Sequence, residues 1–173
     1  METQMKHILT WLISVSSILF SSLADAQTPL SPDQYQKNLR SIYKELVEIN
    51  TTDSVGSCTV AANAMATHLQ KAGFGKDNLQ VIIPPGGPKK GNLVASIKGK
   101  NESLKPILLL AHIDVVEAKR QDWERDPFKL IEENGNLYAR GAADDKSMAA
   151  IYIANLIRMK NDKYVPERGI VMA

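Results

Sequence analysis

Two short clusters in this 173-residue sequence combine side chains able to do metal chemistry. The first is Ala111-His112-Ile113-Asp114-Val115-Val116. In an extended segment, residues two apart leave the same face, so His112 and Asp114 project together. An imidazole can bind a divalent metal through one ring nitrogen while a carboxylate at the other fixes its tautomer and direction. On this pattern alone, a solvated or ordinarily hydrogen-bonded histidine is the commoner reading of His112. The second cluster is Arg140-Gly141-Ala142-Ala143-Asp144-Asp145-Lys146-Ser147, set between a predicted strand and a predicted helix. Small residues let backbone approach a site closely, and acids before a helix can satisfy its free N–H groups. Asp145 therefore also reads as a helix cap. A histidine and carboxylates gathered in one cleft would make an oxygen and nitrogen metal site without thiolate.

Taken in order, Leu109-Leu110-Ala111-His112-Ile113-Asp114, then Trp123 with Pro127-Phe128, then Gly135 to Tyr138 and Arg140 to Lys146, resemble the signature of the M20 (M20/M25/M40) zinc metallopeptidases. That family includes glutamate carboxypeptidase, acetylornithine deacetylase and succinyl-diaminopimelate desuccinylase. The resemblance implies that His112 binds one zinc ion, that Asp114 is the catalytic-site carboxylate orienting it, and that Asp144 bridges two zinc ions. It makes Asp145 a supporting or capping carboxylate joined to Asp144 by a cis peptide bond. Trp123, Pro127 and Phe128 are expected to pack beside the site, and Arg140 and Lys146 to pair with nearby acids. The implied activity is zinc-dependent hydrolysis of peptide or amide bonds, with a small peptide or an N-acyl amino acid as substrate. The alternatives are a deacylase of N-acyl amino acids and a noncatalytic secreted binding module on the same fold. The family's glutamate base, its remaining ligands and its lid domain, through which it forms homodimers, have no counterpart after Lys146. Residues 1–173 alone are accordingly expected to be inactive.

The elements that must position these residues can be read from periodicity. Pro32 to Glu48 and Thr59 to Ala72 carry apolar residues at helical spacing, as does Lys146 to Lys160. Leu79 to Ile83 and Asn92 to Lys98 read as antiparallel strands joined by a plain Gly- and Pro-rich loop. Pro106 to Ala111 is an unbroken apolar run, predicted to be a central strand buried on both faces. Glu133-Asn134-Gly135 reads as a hairpin turn, and Arg168 to Ala173 as a strand that stops mid-run. The fold class expected is α/β, a mixed β-sheet flanked by helices, with residues 27–173 forming the N-terminal part of a truncated catalytic domain.

Composition narrows the function further. Lys and Arg number 21 against 19 Asp and Glu, a net charge of +2 too small and scattered for nucleic acid. The single cysteine, Cys58, can form no internal disulfide and reads as a small buried or capping-region residue. Lys6 and His7 precede an uncharged stretch from Ile8 to Ala24, shorter than the roughly 20 residues of a spanning helix. Ala24 and Ala26 supply the small residues of a cleavage site, so residues 1–26 are read as a signal peptide. An exported protein, periplasmic or secreted and without stable membrane insertion after cleavage, is expected. Asn50-Thr51-Thr52 and Asn101-Glu102-Ser103 match the glycosylation acceptor pattern.

Overall fold

The structure, a computed structural model, describes residues 31–173. The predicted leader, with Ala24 and Ala26, lies outside the described residues. Helix α1, Pro32–Glu48, opens with a reciprocal cap: Ser31 Oγ accepts from Gln34 N, and Gln34 Oε1 accepts from Ser31 N. Its stripe of Ile42, Tyr43, Leu46 and Val47 is buried. Helix α2, Cys58–Lys71, is capped by Ser57 and buries Ala61, Ala62, Met65, Ala66 and Leu69. His68 of α2 reaches Glu45 of α1 at 2.6 Å, a contact between helices.

Strands β1, Leu79–Ile82, and β2, Asn92–Ile97, pair antiparallel, and the loop between them is a connector as expected. After β3, Ile107–Leu109, the strands β4, Ile131–Glu133, and β5, Asn136–Tyr138, form a separate hairpin. Its turn places Asn134 and Gly135 at φ 50° and 76°, which suits the two-residue turn that Asn-Gly encodes. Helix α3, Lys146–Asn161, and strand β6, Ile170–Met172, follow. The main sheet is mixed and runs β1-β2-β6-β3, with β6 antiparallel to β2 and parallel to β3. Leu79, Leu93, Ala95, Ile170 and Met172 join the apolar stripes of the three helices in one buried cluster. No helix among the described residues is long and apolar enough to cross a membrane.

One expectation is corrected. The Pro106 to Ala111 run forms an edge strand, because β3 pairs with β6 and has no strand on its other side among the described residues. Leu108 and Leu110 are 57% and 63% exposed, while Leu109 packs against the core. An apolar run reports that both faces of a strand are hydrophobic. Whether each face finds cover depends on what packs there.

Candidate metal centre

Beyond β3 the sheet ladder ends with Ala111 N donating to Ala173 O at 3.2 Å. The chain then runs without regular secondary structure through His112 and Asp114. The second cluster arrives as the turn that enters α3, and the two meet where His112 Nε2 lies 2.9 Å from Asp144 Oδ1. On the other side of the ring, Nδ1 is 3.2 Å from Asp114 O and 3.4 Å from Asp114 Oδ1. Burial works to lower the His112 pKa, but the bonds to Asp144 and Asp114 outweigh it and the net shift is upward. The cause is geometric: oxygen acceptors flank both ring nitrogens. A neutral ring that donates from Nδ1 turns a lone pair toward the Asp144 carboxylate, and that arrangement calls for a proton or a metal cation.

Several contacts hold the Asp144 turn. Tyr43 Oη donates to Ala142 O at 2.9 Å, and burial raises the Tyr43 pKa. Gly141 has φ +79°, and a Cβ there would lie 2.7 Å from Val115 Cγ1, so backbone and Val115 approach as only glycine allows. Arg140 N donates to Pro127 O at 2.7 Å, and Pro127 is fully buried, which agrees with a packing role. The peptide bond between Asp144 and Asp145 is cis, as the resemblance implied.

Three readings of individual residues change. Arg140 makes no ion pair among the described residues; its guanidinium stacks 4.9 Å over Trp123 and its Nε is buried without a partner. Lys146 likewise pairs with no acid. It is fully buried and donates to Ile49 O at 2.8 Å, and burial pulls its pKa down to about 8. Asp145 occupies the N-cap position, but its side chain makes no capping bond; it faces a cavity of about 560 Å³ shared with His112, Asp114, Cys58 and Lys90. The corrections share one cause, that spacing along the chain does not say which way a side chain turns. Cys58 lines the same cavity as His112, although nothing in their spacing along the chain pairs the two. Burial, and then the charge of Asp114, raise its pKa, so the thiol is held protonated and poorly nucleophilic. A smaller cavity of about 390 Å³ brings His112, Trp123, Arg140 and Asp144 together.

An imidazole nitrogen and a carboxylate oxygen suit zinc. Among the described residues, however, no group of three or more His, Cys, Asp or Glu side chains is gathered closely enough to hold an ion. The donor chemistry fits and the donor set is partial.

Comparison with known proteins bears on the same segment. Peptidase family M20/M25/M40 matches residues 108–173. The N-fatty-acyl-amino acid synthase/hydrolase PM20D1 of Mus musculus is 42% identical over 80 residues, covering 45% of this chain and 16% of that protein. The N-formyl-4-amino-5-aminomethyl-2-methylpyrimidine deformylase of Bacillus subtilis is 33% identical over 131 residues, covering 73% of this chain and 30% of that protein. Human carnosine dipeptidase 1 shares the fold with a TM-score of 0.61 at 24% identity, over 81% of this chain and 32% of that one. The chain thus spans less than a third of the length of these relatives.

Proposed function

The chain belongs to the M20/M25/M40 peptidase family, and from that membership we propose that His112 and Asp144 are zinc ligands in a centre that hydrolyses amide bonds. The observation that carries this reading is the 2.9 Å approach of His112 Nε2 to Asp144 Oδ1, with Asp114 behind Nδ1. Zinc, when bound, supplies polarisation of a scissile carbonyl and activation of water. The residues of this chain prepare the place for it. Asp114 holds the Nδ1 proton and so leaves the Nε2 lone pair free to coordinate. Asp144, with its side chain 90% exposed, presents carboxylate oxygens to the open side of the cleft. Asp145 adds negative charge to the wall of the larger cavity. The described donors are two, fewer than the three protein ligands of a catalytic zinc, so activity belongs to a centre completed by further ligands.

For the substrate, the two relatives matched at 42% and 33% identity are named for N-acyl amino acid and N-formyl chemistry. These names favour hydrolysis of N-acyl amides, with small peptides as the other substrate class. Export rests on the Lys6 to Ala26 pattern alone, and amino-terminal sequencing of the mature protein would find Gln27 first. Calorimetric titration of the full chain with zinc tests the centre. Binding that vanishes in both His112→Ala and Asp144→Ala is the expected outcome. Equal affinity in wild type and both variants would remove the basis of the assignment.

A further inference from the structure

We propose that Thr51 is a positioning residue for the metal centre, and that its loop ties the strand end bearing His112 and Asp114 to the turn bearing Asp144. The inference rests on the metal-centre reading above. Past Ala111 the sheet ladder no longer holds the chain, and the bonds that replace it come from this loop. Thr51 is 1% exposed, and its Oγ1 donates to Ile113 O at 2.6 Å. That carbonyl lies between His112 and Asp114, so rotating its peptide would turn both side chains. Thr51 O in return accepts from Val115 N at 3.3 Å. Further out, Ser54 donates through N and Oγ to the two carboxylate oxygens of Glu117, at 3.1 and 2.9 Å.

The other end of the clasp is Ile49, whose carbonyl accepts from Lys146 Nζ at 2.8 Å. Lys146 follows Asp145 directly, so residues 49 to 51 touch both halves of the site. The loop is itself closed: Asn50 Oδ1 accepts from Thr52 N and Oγ1, Gly56 N donates to Thr52 O, and Ser57 N donates to Asn50 O. A Cβ on Gly56 would lie 2.4 Å from Thr52 N, so the loop closes this tightly only around glycine. Asn50 and Thr52, which match a glycosylation acceptor in sequence, are joined inside this loop through Asn50 Oδ1 and the Thr52 hydroxyl. A buried hydroxyl that serves a single carbonyl beside two site residues reads as a positioning device, because its bond fixes the orientation of the Ile113 peptide between them.

The test is Thr51→Val, which removes the hydroxyl at nearly constant volume, beside Thr51→Ser, which keeps it. Three readouts apply to the full chain: Co²⁺ affinity from the metal's visible absorption, exchange of the Val115 amide, and the ¹⁵N signals of the His112 ring. Thr51→Val is expected to weaken Co²⁺ binding by about 10- to 100-fold, the range for loss of a group that orients a ligand. It should also speed Val115 exchange and shift the His112 ring signals, and Thr51→Ser should restore all three. Wild-type exchange and ring signals in Thr51→Val, or no rescue by serine, would overturn the proposal. Should Thr51→Val fail to fold, exposed Ser54→Ala loosens the same clasp. Faster exchange of Val115 in that variant is then the supporting result, and unchanged exchange the refuting one. Absence of Co²⁺ binding in wild type would instead sink the metal-centre reading, while exchange and ring signals would still decide the role of Thr51.

Discussion

His112 Nε2 and Asp144 Oδ1 stand 2.9 Å apart although 32 residues separate them in sequence. Both side chains are open to solvent, 52% and 90% exposed. An ion pair so exposed contributes little to stability, commonly under ~1 kcal/mol. The fold brings the two groups together without depending on the bond between them.

That separation of stability from chemistry gives the first prediction. His112→Ala should leave the unfolding free energy within about 0.5 kcal/mol of wild type, while zinc binding is lost. Asp114→Asn should keep binding but weaken it by about 10- to 100-fold, as expected when the carboxylate behind a ligating imidazole is removed. Denaturant unfolding and metal titration of the same samples check both.

Gly141→Ala should act on the site through the backbone. A residue with a side chain is strained at φ +79°, and the new Cβ would meet Val115 Cγ1 at 2.7 Å. A cost on the order of 2 kcal/mol is expected, together with weaker zinc binding as the Asp144 turn shifts. Unchanged stability would mean that the turn yields more easily than the packing around Val115 suggests.

Tyr43→Phe should cost about 1 kcal/mol at neutral pH, where the hydroxyl bonds Ala142 O. The pH dependence has a definite sign. Burial raises the Tyr43 pKa above its ordinary value of 10.0, so above that pH the unfolded chain gives up the proton before the folded one. The stability of wild type therefore falls as pH climbs past 10, and the gap to Tyr43→Phe narrows. Urea unfolding of both proteins at pH 8 and at pH 11 measures the difference.

Cys58 should alkylate more slowly than a solvent-exposed thiol at pH 7.5, since burial and the Asp114 charge both raise its pKa. Asp114→Asn removes one of those causes and should speed the reaction. Iodoacetamide kinetics on the full chain follow it, and equal rates in the two proteins would separate Cys58 from the charge at the site.

Much of the fold could be read from local pattern. The bounds of α1 were legible because Ser31-Pro32-Asp33 encodes a start and the apolar stripe keeps helical period through Glu48, while the reciprocal cap with Gln34 emerged from the structure. The β4–β5 turn was legible because Asn134-Gly135 accept positive φ. His112, Asp114 and Asp144 were singled out through the M20 resemblance of their segment, which agrees with the family match over residues 108–173, and the structure brings His112 and Asp144 within 2.9 Å of each other. The remainder came from contacts between segments distant along the chain. Periodicity is a property of one segment, so it could not say that β3 would lie at an edge with Leu108 and Leu110 exposed. Nor could it say that Lys146 would bury its ammonium on Ile49 O or that Arg140 would stack on Trp123. Thr51 carried no signal beyond a polar break after a helix, because its role lies in one hydrogen bond to Ile113, 62 residues away. Local patterns fix which elements form and which side chains can react. The partners of those side chains depend on how distant segments pack, and packing is settled only when the whole domain closes.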